Sequence, residues 1–354
     1  MRLSMGIVGL PNVGKSTLFN ALLKKQVAEA SNYPFCTIAP NKGVVEVPDE
    51  RLKVLAKLTN SGKIVPAVVE FVDIAGLVKG ASNGEGLGNK FLANIREVNA
   101  ICHVVRFFDD KSVAHISPEI NPNFDAELIN TELIMADLQT LEKREAPKGR
   151  ATKEEFLMWE GIQILKSELS KGKLAIDVPL REEYQNEIKK LCLLTSKPII
   201  YVANISESQI GYKDELIKNF NFRPVITLCA KLESELAALP EDEQFEYLKQ
   251  YGLGEPGLNI LIKTAYKTLG LISFLTTNEN ETRAWAIING TKAREAAGAI
   301  HSDFAKNFIK AAVISYDEFV KLGGWAQAKS FGKVRFEGAD YVVNEGDVIE
   351  FMVR

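Results

Sequence analysis

One short segment of the chain has the residue types and spacing of a phosphate-binding loop. Residues 9–17 match the pattern G-x-x-x-x-G-K-[ST]. Glycines allow backbone N–H groups to face the α- and β-phosphates at a helix N-terminus. The lysine of the pattern puts a cation on the β- and γ-phosphates, and the next hydroxyl is a ligand for Mg²⁺. The pattern predicts nucleoside triphosphate binding, the alternative being a chance match in a glycine-rich turn. The predicted phosphate-binding residues are Asn12, Val13, Gly14, Lys15, Ser16 and Thr17.

A second polar motif follows an apolar segment further along the chain. Asp73 and Gly76 form an Asp-x-x-Gly motif, which predicts a carboxylate near Mg²⁺ or its water and a glycine N–H for the γ-phosphate. The next residue is Leu77, where Ras-type GTPases carry a glutamine that orients the attacking water. Because leucine cannot hydrogen-bond water, we expect slow intrinsic hydrolysis, or alignment of the water by another group or a partner.

Thr37 has the position of the mobile threonine that completes Mg²⁺ coordination when the γ-phosphate is present. A plain surface threonine is the alternative interpretation. The predicted Mg²⁺ ligands are therefore Ser16 and Thr37, supported by Asp73.

The predicted strands place these motifs at one edge of a sheet. Apolar strands are predicted at 3–8, 68–72, 100–107, 198–203 and 224–228, and a helix is predicted from Thr17 to Lys25. Each strand lies next to glycine, proline or a helical stretch, which is typical of a doubly wound, mostly parallel α/β sheet. Ligands bind at the carboxyl ends of such strands, and each polar motif follows one of them.

Two other segments depart from this α/β pattern. Apolar residues at helical spacing flank a basic turn at 146–150 and predict an inserted antiparallel helical hairpin. The turn is either a solvated tip or a contact for RNA phosphates. Near the C-terminus, short β runs at 282–288, 333–337, 341–343 and 348–353, with a helix near 293–308, predict a small α+β module. The predicted organisation is a P-loop NTPase domain at 1–125 and 191–274, the hairpin at 126–190 and the C-terminal module at 275–354.

The composition is that of a globular protein. The chain has 354 residues, 43 basic and 46 acidic, so its net charge of −3 excludes coating of nucleic acid or membrane by charge alone. We find no apolar run of membrane-helix length and no signal-peptide core. The four cysteines are dispersed without a Cys-x-x-Cys pair, and only three histidines are present. We therefore expect reduced thiols, a cytoplasmic protein and no histidine-rich metal site.

Several segments together resemble the YchF/Obg-like ATPase family. They are residues 9–20, 32–38, 73–81 and 283–287, with Gly324 and the final 346–349 in support. The similarity extends over essentially the whole chain. It implies a GTPase-like domain, an inserted helical arm and a C-terminal TGS domain of the β-grasp type, in agreement with the organisation predicted from the residue pattern.

The residues after the strand at 198–203 bear on which base is bound. Asn204, Ile205 and Glu207 stand where GTPases carry Asn-Lys-x-Asp, whose aspartate accepts hydrogen bonds from guanine. The longer glutamate displaces the carboxylate and weakens selection of guanine, so the chemistry leaves guanine and adenine open. The Asn-x-x-Glu form of the family implies ATP as the substrate. By the same resemblance, Cys229 and Ala230 belong to the second base-side loop.

Two further assignments rest on the resemblance. Asn12 matches an asparagine that holds K⁺ in related hydrolases, where the ion supplies positive charge in the transition state. His115 matches a loop histidine proposed to replace the absent glutamine, since imidazole can orient water near neutral pH. An inert loop histidine is the alternative. The predicted catalytic residues are therefore Lys15, Gly76 and His115.

The sequence thus predicts a slow, Mg²⁺-dependent ATPase that converts ATP to ADP and phosphate and works as a nucleotide-state switch, with K⁺ as a further cofactor. The family resemblance implies a ribosome or rRNA partner and a role in translation or stress control. We expect a monomer without membrane or DNA partners. Two alternatives stay open: a GTPase translation factor, and a nucleotide-gated interaction module in which hydrolysis is incidental.

Overall fold

A computed structural model describes residues 3–25, 41–74, 86–110, 113 and 119–354. The predicted site residues Thr37, Gly76 and His115, and also Leu77, lie outside these ranges. In the part of the chain so described, none of the helices combines the length and apolar character that crossing a bilayer requires.

The described residues form twelve β-strands and fourteen α-helices. The strands are β1 Ser4–Val8, β2 Lys42–Glu46, β3 Ile64–Val65, β4 Val68–Asp73, β5 Ala100–Arg106, β6 Ile199–Asn204, β7 Val225–Leu228, β8 Leu271–Thr277, β9 Thr282–Ile288, β10 Phe308–Ser315, β11 Arg335–Glu337 and β12 Asp347–Val353. The helices are α1 Lys15–Lys24, α2 Glu50–Thr59, α3 Gly86–Glu97, α4 Pro122–Glu142, α5 Lys153–Leu169, α6 Glu182–Ile188, α7 Lys213–Leu216, α8 Ala230–Leu236, α9 Glu241–Gln250, α10 Gly257–Thr268, α11 Ala293–Ile300, α12 Ser302–Lys306, α13 Tyr316–Leu322 and α14 Trp325–Ser330.

The first sheet has the strand order β2-β4-β1-β5-β6-β7. β1 pairs in parallel with β4 and β5, and β5, β6 and β7 continue the parallel pairing. Every residue of β1, β5 and β6 is buried, which is why these strands are nearly continuous apolar runs. The predicted α/β class is confirmed, and the five strands predicted for this sheet are all present.

The strand register aligns the carboxyl ends of this sheet. Ile7 lies opposite Asp73, so the predicted magnesium carboxylate is beside the strand that enters the phosphate loop. At the other side, Asn204 lies opposite both Arg106 and Leu228. Polar residues that are far apart in the chain therefore meet at one edge of the sheet.

The helices predicted for the insertion are present as α4 and α5. Asn121 caps the first, and Thr152 forms a capping box with Glu155 at the start of the second. Their apolar residues share one core cluster with the chain that follows them. The Asp137 carboxylate accepts hydrogen bonds from the backbone N–H groups of Leu194 and Thr195, each at 2.8 Å, and this ties α4 to the segment that precedes β6.

The second sheet has the order β11-β10-β12-β8-β9-β3. The predicted strands at 282–288, 333–337 and 348–353 are present here as β9, β11 and β12, but β3, β8 and β10 were not predicted. The prediction of a strand at 341–343 is wrong, because the only strand-like pairing described there is an isolated bridge between Lys292 and Val342. The predicted helix at 293–308 is interrupted at His301, whose extended backbone lets its side chain accept a hydrogen bond from Asp303 N–H and start a new helix.

The chain divides into two compact units at different points from the predicted boundaries. The first contains the described residues of 1–25, 38–43 and 70–261, so it includes the helical insertion. The second contains residues 44–69 and 262–354. Within the second unit, β3 pairs with β9, and Arg51 binds the carboxylates of Asp49 at 2.7 Å and Glu345 at 2.5 Å. These contacts explain why 44–69 folds with residues more than two hundred positions later.

His103 is a buried titratable group in the middle of the first sheet. It belongs to β5, it is 1% exposed, and its ring lies 5.2 Å from the Tyr201 ring, centre to centre. Burial, together with the positive charge of Lys15, lowers the pKa of His103 to about 3. The folded chain therefore holds this imidazole neutral at pH values where the unfolded chain protonates it.

We expect the free energy of unfolding to fall as the pH is lowered from 6.5 toward 3. In this window the unfolded chain binds a proton on His103 and the folded chain does not, so acidification favours unfolding by up to about 1.4 kcal/mol per pH unit. Urea denaturation of the wild type and of His103→Gln across this range isolates the contribution of the residue. His301→Gln, at an exposed histidine, is the matched control. If the free energy of unfolding of His103→Gln depended on pH as steeply as that of the wild type, His103 would not be the source of this pH dependence.

Candidate functional site

The phosphate loop takes a backbone path that only certain residues allow. Gly14 has a φ of 96°, and a Cβ there would lie 2.2 Å from the Asn204 amide nitrogen. Asn12 also has a left-handed conformation, with a φ of 61°. Helix α1 begins immediately after Gly14, at Lys15, two residues before the predicted start. The N–H groups of its first turn are thus at the end of the loop, as the phosphate-binding pattern requires.

Lys15 is the buried cation of this loop. Its side chain is 8% exposed, and its Nζ donates a hydrogen bond to the Leu10 carbonyl at 2.7 Å. Burial lowers the pKa of Lys15, while the negative charge of Asp73 opposes that shift. Burial likewise raises the pKa of Asp73, and Lys15 opposes it. The two groups therefore favour each other's charged forms, and a polyanion would add to the stabilisation of the ammonium.

The donor set at this end of the sheet fits a magnesium ion that also binds phosphate. Ser16 is exposed in the first turn of α1, and Asp73 is the last residue of β4. Both offer the oxygen ligands that Mg²⁺ prefers. Among the residues that the structure describes, no group of three or more His, Cys, Asp or Glu side chains could hold a metal by itself. A magnesium ion here would therefore complete its shell with phosphate and water.

Asn204 joins the phosphate loop to the two loops on the base side. The side chain is 4% exposed; its Nδ2 donates to the Val13 carbonyl at 2.8 Å and its Oδ1 accepts from Ala230 N–H at 2.9 Å. Its neighbour Ile205 is buried, and the Ile205 N–H donates to the Leu228 carbonyl at 3.0 Å. These bonds fix the ends of β6 and β7 relative to the loop.

Glu207 lies at the start of a short 3₁₀-helix beyond Asn204. One carboxylate oxygen lies 3.1 Å from the Lys231 ammonium, and the other accepts a hydrogen bond from the Tyr251 hydroxyl at 3.3 Å. A cavity of about 370 Å³ is lined in part by Ile205, Cys229, Glu233 and the turn at 252–255. The cavity wall combines apolar residues with two acidic residues, Glu233 and Glu255.

The structure brings most of the predicted residues to one end of the first sheet. These are the loop residues 12–17, Asp73, the Asn204 to Glu207 segment, and Cys229 with Ala230 at the start of α8. The placement of Thr37, Gly76 and His115 stays a prediction. The sequence did not identify Tyr251, and no local pattern could have done so because its contact with Glu207 joins residues 44 positions apart.

Arg106 is a second residue that the sequence analysis did not single out. It is 1% exposed at the end of β5. Its guanidinium donates to the carbonyls of Phe108, Asp110 and Val113 at 3.1, 2.9 and 3.1 Å. These bonds hold the described part of the loop that follows β5. The signal was an arginine inside a predicted apolar strand, since such a charge must find partners when buried.

Two family models match different parts of the chain. A family model described as 50S ribosome-binding GTPase (MMR_HSR1) matches residues 4–136, and the model YchF-GTPase_C, described as a protein of unknown function, matches residues 271–354. A Bacillus subtilis (strain 168) protein named Ribosome-binding ATPase YchF is 50% identical over 363 residues, with 99% of each chain covered. An Escherichia coli O157:H7 protein of the same name is 46% identical with the same coverage.

A solved structure agrees with these matches. The structure titled as the Schizosaccharomyces pombe YchF GTPase superposes with a TM-score of 0.87 at 34% identity, and the match covers 99% of this chain and 98% of that one. The names of these proteins differ in the nucleotide: the bacterial relatives are called ATPases and the yeast protein is called a GTPase.

We expect Asn204→Ala to weaken the site as a whole rather than its choice of base. The substitution leaves the Val13 carbonyl and the Ala230 N–H without their buried partner, which should lower the free energy of unfolding by about 2 kcal/mol. Affinities for ADP and GDP should fall by similar factors, since both lost bonds are to backbone. Urea denaturation and calorimetry measure the two effects, with the exposed Asn186 changed to alanine as control. A fall in the affinity for one nucleotide alone would contradict this role.

Proposed function

The chain belongs to the YchF family, and from this we propose that it is a P-loop ATPase that hydrolyses ATP to ADP and phosphate and acts as a nucleotide-state switch. The observation that carries the proposal is the burial of Lys15 in a loop whose backbone is left-handed at Asn12 and Gly14. The side chain of Asn204 connects this loop to the predicted base-side loops. This arrangement supports phosphate binding at one end of the site, by a cation and helix N–H groups, and base binding at the other.

Each end of the nucleotide has its proposed partners. The backbone N–H groups of residues 12–17 and the Lys15 ammonium hold the phosphates. Ser16 and Asp73 would hold Mg²⁺, which when bound neutralises charge on the β- and γ-phosphate oxygens. The predicted roles of Thr37 as a further ligand and of the Gly76 N–H as the γ-phosphate sensor belong to the same proposal.

The proposed turnover is slow. Leu77 replaces the glutamine that aligns the attacking water in Ras-type enzymes. The water is therefore aligned by His115 or by a partner, or it is not aligned at all. We assign K⁺ to Asn12, whose left-handed backbone places it within the phosphate loop. A monovalent cation beside the phosphates would add positive charge where negative charge develops in the transition state.

The proposed partner is the ribosome. The bacterial relatives carry the name ribosome-binding ATPase, and the family model over 4–136 has a 50S ribosome-binding description. Between α4 and the first residue of α5 the chain supplies a basic segment that could contact rRNA phosphates. Its cations are Lys143, Arg144, Lys148, Arg150 and Lys153. Lys148 is paired with Glu145 at 2.6 Å, so part of this charge is neutralised within the segment. Such a partner places the protein in the cytoplasm.

Lys15→Ala should reduce ATP turnover by at least about 100-fold, because it removes the cation nearest the reacting phosphates. Phosphate release measured with ATP and GTP in competition tests both the hydrolytic activity and the preference for adenine or guanine. We expect ATP to be the preferred substrate, and faster turnover in K⁺ than in Na⁺ at equal ionic strength. Lys24→Ala, at the exposed end of the same helix, serves as control. Preferential turnover of GTP would favour the GTPase alternative.

Ribosome binding should depend on the nucleotide. We expect cosedimentation of the chain with ribosomes to differ at least about threefold between a non-hydrolysable ATP analogue and ADP, since a switch must favour one state for its partner. Lys15→Ala should lose this difference. Equal cosedimentation in both states would contradict the switch. If cells carrying Lys15→Ala kept the cellular role intact, hydrolysis would be incidental and the interaction-module alternative would stand.

A further inference from the structure

The carboxylate of Glu207 is held by groups from outside its own loop. Lys231 belongs to α8, and Tyr251 is the C-cap residue that directly follows α9. Together they engage both carboxylate oxygens, at 3.1 Å and 3.3 Å. Two separate parts of the chain thus converge on the one acidic side chain of the predicted base-side motif.

We propose that Tyr251 is a positioning residue for base selection: with Lys231 it holds the Glu207 carboxylate in contacts that compete with guanine. The proposal rests on the proposed function, since it concerns the base of the nucleotide that this site binds. It assigns to Tyr251 a role through Glu207 and not a direct contact with the substrate.

The chemistry of the two bases gives the direction of the effect. Guanine presents two donors, N1–H and the 2-amino group, and a carboxylate discriminates for guanine by accepting from both. Adenine has an acceptor at N1 and no 2-amino group, so it gains nothing from such a carboxylate. When each oxygen of Glu207 already has a donor, the gain available to guanine is smaller while adenine is little affected.

The protonation states keep both donors in place near neutral pH. The pKa of Tyr251 is raised to about 12, first by its hydrogen bond with Tyr247 and then by desolvation and the Glu207 charge, so its hydroxyl stays protonated. The pKa of Lys231 is raised chiefly by its hydrogen bond with Glu207. Both donors therefore remain engaged throughout the range in which nucleotide binding is measured.

Both the backbone and the ring of Tyr251 have contacts within its own part of the chain. Its N–H donates to the Leu248 carbonyl at 3.0 Å, and its ring centre lies 5.7 Å from that of Tyr247. Gly252 follows with a φ of 65°, turning the chain into the segment that lines the cavity beside Ile205. A tyrosine anchored in this way loses little conformational freedom when it donates to Glu207.

Tyr251→Phe tests the proposal because it removes the hydroxyl and keeps the ring. We expect the ratio of the dissociation constant for GDP to that for ADP to fall about tenfold, because the Tyr251 hydroxyl no longer competes with guanine for one oxygen of the Glu207 carboxylate. Calorimetry with ADP and GDP in the presence of Mg²⁺ measures the ratio. A purely structural role would change both affinities alike, because the two nucleotides share their sugar and phosphates.

Two further variants keep the test independent of any loss of folding. Lys231→Met should shift the ratio in the same direction but less, because Lys231 is 74% exposed. Tyr212→Phe, an exposed tyrosine at the end of the helix that begins with Glu207, should leave the ratio at its wild-type value. In a Glu207→Ala background, Tyr251→Phe should have no further effect on the ratio.

The outcomes separate this proposal from the one on which it rests. If the wild type binds ADP but Tyr251→Phe leaves the ratio unchanged, the role of Tyr251 is refuted and the proposed function stands. A shift of the ratio that persists in the Glu207→Ala background also refutes it, because the hydroxyl would then act by another route. If the wild type binds neither nucleotide, both proposals fail together.

Discussion

The site depends on one buried asparagine side chain. Asn204 uses its amide nitrogen and its amide oxygen at the same time, for the phosphate loop and for the loop after β7. Because the side chain is almost fully buried, both bonds lie in a low-dielectric environment where leaving either group unpaired is costly. The Cβ that Gly14 lacks would occupy the same space. The glycine and the asparagine therefore form one structural unit.

Charges at the two ends of the site are held in different ways. At the phosphate end, Lys15 is buried, its pKa is lowered by desolvation, and Asp73 only partly compensates. A polyanionic ligand would relieve that cost, so binding and stability should be linked at this end. At the base end, Glu207 is about one third exposed and has cationic and hydroxyl partners in the protein itself. Its charge is thus satisfied by side chains of the protein.

The second unit contains a part of the chain that the residue pattern assigns elsewhere. Residues 44–69 lie between Thr37 and Asp73 in the sequence, yet β3 is a strand of the C-terminal sheet. A strand of two residues has no stability alone and requires a partner, which β9 supplies. Side-chain bonds such as Thr59 to Thr277 at 2.7 Å complete the attachment. The segment that joins the two predicted magnesium ligands is therefore built into the other unit.

The sequence by itself determined the phosphate loop, the α/β class and the strands β1, β5 and β6, because spacing within nine residues and continuous apolar runs are local properties of the chain. It also placed Asn204 and Glu207 in one motif, although it left the base open. Only the tertiary structure decided that 44–69 belongs to the second unit, that the helix predicted at 293–308 breaks at His301, and that Tyr251 holds Glu207. Each of these depends on a partner distant in sequence or on a backbone geometry that apolar periodicity does not encode, since periodicity reports which face is buried and not what covers it.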